Sequence, residues 1–149
     1  MPNWLRPIAL ISTGVGFDQL TKWIARSVLY NSPGIPFTPL LKFQLVFNPG
    51  AAYGIFAGQQ FPLLIISLTV LFAIAFFWEY LTETEWQTYG TIFLIIGALG
   101  NFIDRFQYGV VTDFINIHIF PVFNIADIAI NIAVACYLVD TIQSLKQNK

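Results

Sequence analysis

Apolar residues along the chain fall into four long runs that are separated by shorter, more polar connections. A helix needs about 20 mostly apolar residues to cross the hydrocarbon core of a bilayer, and each run approaches that length. The run FPLLIISLTVLFAIAFFWEYL carries no charge before Glu79, and Trp78 and Tyr80 near its end are typical of a membrane interface. The pattern predicts four transmembrane helices, at roughly 5–26, 61–81, 88–106 and 122–142.

The connection between the first two helices carries a pattern of shorter period. In KFQLVFN (42–48) every second residue is Phe or Leu until the NPG turn, which predicts a strand on a half-buried surface. We assign a β-like segment to roughly 35–57, and a second alternating stretch, INIHI (115–119), lies between the third and fourth helices. The predicted fold is an all-α membrane protein: one integral membrane domain over 1–149, with four transmembrane helices and a small β segment beside them.

The composition agrees with residence in a membrane. Hydrophobic residues make up 56% of the chain and charged residues only 10%, whereas about a quarter of the residues of a soluble domain are charged. The net charge of −1 argues against a nucleic-acid partner, which would require a basic face. Arg6 precedes an apolar run, as in a signal peptide. Because Asp18 and its neighbours stand where a small-residue cleavage site would be needed, we expect the first helix to be retained.

The sequence lacks the motifs of common cofactors and nucleophiles. It has no GxGxxG or Walker pattern, and Cys136 is the only cysteine, so no internal disulfide is possible. His118 is the only histidine and has no Cys beside it, which excludes a His-rich zinc site, while a site built from carboxylates alone stays open. The serines lack a plausible base at their depth, which weighs against serine hydrolysis. We expect no cofactor and no metal ion.

Polar residues interrupt the apolar helices mainly at one face. If all four helices cross the membrane, the ends of the first and third and the start of the fourth lie together, and ionisable groups there by default mark a functional site. Asp18 with Lys22, one helical turn apart, and Asp104 beside Arg105 also fit a purely structural role as local pairs, which stays open. The full set at this face is Asp18, Lys22, Asn48, Asn101, Asp104, Arg105, Asp113, Asn124 and Asp127.

Asp113 and Asp127 differ from the other carboxylates because no Lys or Arg stands within a few positions of either. Two carboxylates that face each other in a poorly hydrated site cannot both ionise easily, so they share a proton. One can then act as a base on water while the other acts as an acid, as in aspartic proteases. From these residues alone, a proton-coupled transporter or channel and a non-catalytic membrane adaptor stay open. A transporter would usually place such groups near the midplane and show an internal repeat.

Five blocks of the sequence, in order, resemble the motifs of lipoprotein signal peptidase, the bacterial type II signal peptidase. The similarity covers nearly the whole chain, and five blocks in the family's order are far more specific than any one of them. The blocks are DQLTK (18–22), FNPGAAYGI (47–55), GALGNFIDR (97–105), VVTDFI (110–115) and FNIAD (123–127).

The resemblance implies an aspartic endopeptidase of the bacterial cytoplasmic membrane, with both termini in the cytoplasm and the active site near the extracytoplasmic face. Such an enzyme acts without a cofactor, as a monomer, on prolipoproteins, and cuts just before a cysteine that carries a diacylglyceryl group. Its partners are these substrates and membrane lipid, and the β segment is extracytoplasmic. The catalytic pair matches Asp113 and Asp127. The implied substrate-binding residues are Asp18, Lys22, Asn48, Gly50, Asn101, Arg105 and Asn124.

The sequence departs from the family pattern at a few positions. Pro49 fills the variable position of the second block, and Tyr53 stands where Phe is common. Thr112 precedes Asp113 where an aliphatic residue is expected, and the loop from Asp113 to Asp127 is short for the family. These departures bear on rate and substrate range rather than on the chemistry.

Overall fold

The computed structural model describes residues 5–50 and 58–147, so residues 51–57 of the predicted β-like segment lie outside the described residues. The fold is mostly helical with one small sheet, as the sequence predicts. A single turn of 3-10 helix at Tyr80–Thr82 follows the second helix. In chain order the elements are α1 (Leu5–Leu29), β1 (Ile35–Thr38), β2 (Leu41–Asn48), α2 (Gln60–Phe76), α3 (Glu85–Tyr108), β3 (Val111–Asn116) and α4 (Ile125–Gln147).

α2 is shorter than the apolar run from which it was predicted. It ends at Phe76 instead of residue 81, and the chain continues into a turn. At 17 residues the helix is about 26 Å long, slightly less than the hydrocarbon core of about 30 Å. Within the described part of the chain, α4 is the one helix that by length and composition alone could cross a membrane. Length and composition therefore do not confirm four spans.

α1 buries two charged side chains and exposes mainly apolar ones. Its buried residues are Asp18, Lys22, Ala25 and Leu29, each about one turn from the next, while Trp23 on the outer surface is 60% exposed. Outward-facing apolar side chains are unfavourable in water and lose nothing in lipid. This distribution is the one expected for a helix in a membrane that encloses a polar site.

α3 contacts each of the other three helices, and its glycines permit the close approach predicted from the Gly97-x-x-Gly100 spacing. A Cβ atom added at Gly97 would lie 2.6 Å from the carbonyl oxygen of Ala126 on α4. One added at Gly100 would lie 2.5 Å from Asp18 Oδ2 and 3.0 Å from Ala126 Cβ. Gly100 is therefore a point at which α1, α3 and α4 meet.

Gly100→Ala is expected to destabilise the protein by about 1–3 kcal/mol, because the added methyl group overpacks this meeting point. Gly16→Ala is the matched control, since an added Cβ there has nothing within 4 Å, and Gly to Ala inside a helix stabilises by about 0.5–1 kcal/mol. Denaturant unfolding in detergent micelles measures both variants. Equal stability of the two would contradict the close approach.

Both ends of α3 are capped by its own sequence. The Thr84 hydroxyl accepts a 3.1 Å hydrogen bond from the Gln87 N–H at the start of the helix. At the end, Gly109 adopts φ 73°, and its N–H donates to the carbonyl of Arg105. This left-handed residue turns the chain into β3 directly after the helix, so the polar last turns of α3 lie beside that strand.

The sheet is antiparallel in the order β1-β2-β3. β2 confirms the strand predicted at 42–48, whereas β3 overlaps the alternating stretch 115–119 only at its end. The first four residues of β3 are all buried, so the strand has no alternating signal to detect. Phe114 on β3 packs against Ala25 and Leu29 of α1, and this contact fixes the sheet on the end of the helices.

Candidate active site

Asp113 lies on β3, where the sheet meets the helices, and is 2% exposed. Its Oδ2 accepts a 2.9 Å hydrogen bond from Asn48 Nδ2 on β2, and its Oδ1 accepts a 2.6 Å bond from Asn124 Nδ2 at the start of α4. Among the described residues no Lys or Arg forms an ion pair with it. Asp113 is therefore a buried carboxylate that neutral amides hold in one orientation.

Asp127 stands in the first turn of α4 and is half-buried. Its N–H donates to Asn124 Oδ1 at 3.0 Å, while its Oδ2 accepts a 3.1 Å bond from the Asn124 N–H. This reciprocal arrangement is a capping box, which explains why so apolar a helix carries an acid in its first turn. Its Oδ1 accepts a 2.9 Å bond from Asn101 Nδ2 on α3, so Asp127 also belongs to the polar site.

Asn101 and Asn124 connect the two carboxylates. The same Asn124 Nδ2 that donates to Asp113 also donates to Asn101 Oδ1 at 3.1 Å. Asn101 Oδ1 accepts a second bond, of 3.0 Å, from Lys22 Nζ. Because an ammonium can only donate, the Asn101 oxygen must face Lys22, which directs its Nδ2 at Asp127. We call the five residues Asp113, Asp127, Asn48, Asn101 and Asn124 the carboxylate site.

The chain between the two carboxylates folds back on itself. Ile115 and Phe123 form an antiparallel bridge, in which each N–H donates to the other's carbonyl, at 2.8 Å and 3.0 Å. Asp113 precedes this bridge on one side and Asn124 follows it on the other. The bridge therefore brings the first turn of α4 beside β3.

A fully buried ion pair lies next to the carboxylate site. Lys22 Nζ is 2.9 Å from Asp18 Oδ2 and 3.8 Å from Asp104 Oδ2, and all three side chains are 0% exposed. Asp18 Oδ1 also accepts a 2.8 Å bond from the Ala126 N–H, one of the unpaired amides in the first turn of α4. The predicted pair of Asp18 and Lys22 is confirmed. Both side chains hold other parts of the site and are closed to the exterior.

Asp104 is bound to α1 and β3. Its Oδ2 accepts a 2.8 Å hydrogen bond from the Thr112 N–H, and its Oδ1 lies 3.5 Å from Arg26 Nη1. Arg26 also donates a 2.7 Å bond to Thr112 Oγ1, and its guanidinium carbon lies 4.4 Å from the centre of the Tyr108 ring. The ion pairs recorded for Asp104 in the described part of the chain come from α1 and do not include its neighbour Arg105.

One edge of the carboxylate site, where β2 ends, is formed by Asn48, Gly50 and Arg105. Asn48 Oδ1 accepts a 3.0 Å bond from the Gly50 N–H, which leaves its Nδ2 to reach Asp113. Arg105 Nη2 donates to the Gly50 carbonyl at 3.3 Å, and its guanidinium interacts electrostatically with Asp127 and Asp113. A positive charge thus lies close to both carboxylates without pairing with either.

Burial governs the protonation of Asp113. Removal from water raises the pKa of its carboxyl to about 6, because burial disfavours the charged form. The negative charge of Asp127 raises the pKa as well, while hydrogen bonds from Asn48 and Asn124 and the charge of Lys22 lower it. A carboxyl with a pKa near 6 can both give and take a proton close to neutral pH, which is the property required of a general acid or base.

The structure joins all nine predicted site residues in one network of contacts. Two further residues, Arg26 and Thr112, belong to the network and were missed as functional residues. Arg26 follows Lys22 by one helical turn on the same stripe of α1, and that spacing is the signal for it. Across the described residues no group of three or more His, Cys, Asp or Glu side chains is placed to hold a metal ion.

Comparison with known proteins finds similarity over almost the whole chain. A family model described as signal peptidase (SPase) II matches residues 10–143. A lipoprotein signal peptidase of Microcystis aeruginosa is 40% identical over 93% of this chain and 92% of its own. The corresponding protein of Lactococcus lactis subsp. lactis is 37% identical over 86% and 87%. A bacterial membrane enzyme solved by the in meso method matches with a TM-score of 0.87 at 32% identity, over 97% of this chain and 92% of that one.

Proposed function

The chain belongs to the signal peptidase II family of bacterial membrane enzymes, which remove signal peptides from prolipoproteins, and we propose that it does so as an aspartic endopeptidase. In this proposal Asp113 and Asp127 activate the water that cleaves the peptide bond before a diacylglyceryl-modified cysteine. The observation that carries it is the link through Asn124, which donates to Asp113 and exchanges two hydrogen bonds with Asp127.

The two carboxyls divide the proton transfers between them. The ionised one takes a proton from water as the oxygen attacks the scissile carbonyl, and the protonated one donates to the carbonyl oxygen. Collapse of the tetrahedral intermediate then breaks the C–N bond: the leaving amine takes up the proton that was removed from water, and one hydroxyl of the intermediate returns its proton to the other carboxylate. The proton belongs to the pair as a unit, because two strongly coupled acids titrate together. The amides of Asn48, Asn101 and Asn124 keep both carboxyls in place throughout.

Substrate binding is proposed on the side of the site formed by Asn48, Gly50 and Arg105. The Arg105 guanidinium has five donors and bonds only the Gly50 carbonyl among the described contacts, so it is suited to carbonyl or head-group oxygens of a substrate. Asp18 and Lys22 are closed off by burial and contribute by holding Asn101 and the start of α4.

We further propose that all four helices cross the cytoplasmic membrane, with both termini in the cytoplasm and the carboxylate site near the extracytoplasmic face. The buried charged pair and the mainly apolar exterior of α1 support this arrangement, as does the position of the site at one end of the helices. The substrate's acyl chains then stay in lipid while its backbone meets the site, and one copy of the chain is sufficient. A proton-coupled transporter would hold these groups near the midplane.

A cleavage assay with purified protein in detergent tests the proposed activity. The substrate is a diacylglyceryl-modified prolipoprotein, and the control is the same protein with its lipidated Cys replaced by Ser. We expect a gel shift for the lipidated substrate only. Failure to cut the lipidated substrate, or equal cutting of both, would contradict the proposal.

The pH dependence of kcat/KM is expected to contain a limb near pH 6, where the pair of Asp113 and Asp127 loses its shared proton. Since the active pair holds one proton, kcat/KM falls as the pH rises through this limb. Asn48→Ala removes a hydrogen bond that favours the ionised form, so the pKa of Asp113 rises and the limb moves up by about one unit. Gln44→Ala, which removes another amide from β2, is the control and should leave the limb in place. A limb that stays put or moves down in Asn48→Ala would rule out this assignment.

A further inference from the structure

We propose that Asp104, together with Arg26 and Thr112, positions the Asp113 carboxylate for the reaction. None of the three touches the carboxylate itself, and their effect passes through the backbone of β3. This role rests on the proposed function of Asp113 and extends the machinery to a third carboxylate, which has no part in the proton transfers.

The sheet by itself does not fix Asp113. β2 and β3 are paired on both sides of Asp113. Their register shifts between the pairs Phe43↔Ile115 and Val46↔Asp113, because three residues along β2 correspond to two along β3. A bulge of this kind bends the strand that carries the extra residue, here β2, and disrupts the ladder beside Asp113. β3 is also the last strand of the sheet, and the backbone pairing described for its outer edge is confined to Phe114 and Ile115, which bond Phe123.

At residue 112 the outer edge of β3 is held by Asp104. Its Oδ2 accepts the N–H of Thr112, the residue directly before Asp113, at 2.8 Å. Both residues are 0% exposed, and a hydrogen bond to an ionised acceptor in a buried setting is strong and directional. Asp104 thus supplies the partner that a fourth strand would otherwise provide, one residue from the catalytic side chain.

Arg26 ties the same residue to α1. It donates to Thr112 Oγ1 at 2.7 Å and lies 3.5 Å from Asp104 Oδ1. That oxygen is buried and has no hydrogen-bond partner among the described residues, so the guanidinium is a charge that compensates it. Residue 112 is therefore anchored by its N–H to α3 and by its hydroxyl to α1, the two helices that also carry Asn101 and Lys22.

Three variants distinguish the contributions of the two contacts that hold Thr112, one with Asp104 and one with Arg26. Asp104→Ala removes the acceptor, Asp104→Asn keeps a neutral oxygen for the Thr112 N–H, and Thr112→Val removes only the hydroxyl without any change in charge. Thr91→Val is the matched control, because Thr91 is also 0% exposed and its hydroxyl bonds Leu81 and Tyr137 away from the site. Cleavage of the lipidated prolipoprotein gives kcat and KM, corrected for the folded fraction from thermal unfolding in detergent.

We expect kcat to fall about 10–100-fold in Asp104→Ala, since a displacement of about 1 Å can cost that much, with KM within about threefold. Asp104→Asn should recover most of the loss. Thr112→Val should lose about 3–10-fold in kcat and move the limb near pH 6 upward, because a displaced Asp113 is bonded less well by Asn48 and Asn124. The charged groups that face Asp113 are unchanged in this variant: Lys22 on α1, Arg105 on α3 and Asp127 on α4. Thr91→Val should match wild type.

This positioning role would be overturned if the losses of kcat disappeared after correction for the folded fraction and the limb near pH 6 did not move. If Asp104→Ala does not fold, Asp104→Asn and Thr112→Val decide the matter. An NMR titration of carboxyl-labelled aspartate needs no substrate, so it still applies if wild type fails to cut. An upward shift of the Asp113 titration in Thr112→Val would support the role, and an unchanged titration would refute it, whatever becomes of the proposed function.

Discussion

Asp113→Asn and Asp127→Asn are each expected to lower kcat for cleavage of a lipidated prolipoprotein by about a thousandfold or more. Either change leaves the pair unable to hold an acid and a base at once, and general acid–base catalysis contributes about 10²–10⁴ in rate. An amide also offers one oxygen where the carboxylate offered two. At position 113 that oxygen can serve either Asn48 or Asn124, but not both as now.

Asp140→Asn is the matched control for both variants. Asp140 lies on α4 at the end remote from the carboxylate site and accepts bonds from Thr84 and Gln87 at 2.5 Å and 2.9 Å. The Asp140→Asn variant should therefore cleave the substrate at close to the wild-type rate. Gel-shift kinetics on protein whose thermal unfolding is cooperative separate lost chemistry from lost folding. If Asp113→Asn or Asp127→Asn cleaved the substrate at a rate within about threefold of wild type, the carboxyl at that position would be structural.

Lys22→Met is expected to destabilise the protein by about 3–5 kcal/mol, because it leaves buried negative charge without its counter-charge. Asp18 and Asp104 lie 2.9 Å and 3.8 Å from the ammonium, and none of these side chains is exposed. Activity should fall as well, even in the folded fraction. Without Lys22 the Asn101 oxygen keeps only the bond from Asn124, so its amide is held less firmly toward Asp127.

The double variant Asp18→Asn/Lys22→Met distinguishes charge from packing. It removes both members of the closer ion pair and should regain part of the stability that the single variant loses. Lys146→Met is the control, since this exposed lysine near the end of α4 should matter by less than about 0.5 kcal/mol. Denaturant unfolding in micelles gives the three values. A Lys22→Met variant as stable as Lys146→Met would show that the buried pair is not needed for folding.

Features that depend on neighbours along the chain could be read from the sequence. The apolar runs predicted the four helices, and alternation predicted β2, because both are properties of local spacing. Asp18 and Lys22 were paired correctly because residues one turn apart share a helix face. One local signal went unused. Asn124-x-x-Asp127 before an apolar run is the pattern of a capping box, and it explains the position of Asp127.

Sequence motifs by themselves selected Asp113 and Asp127 and the residues that surround them, but the tertiary structure decided how these are held. Asn101 reaches Asp127 and Arg26 reaches Thr112 across long stretches of chain, and Asp104 takes its ion-pair partners from α1. The spacing of apolar and polar residues along the chain does not predict contacts between residues so far apart in sequence. They exist because small residues on α3 let three helices meet and because the bridge between Ile115 and Phe123 folds the chain back, and only packing in three dimensions brings these about.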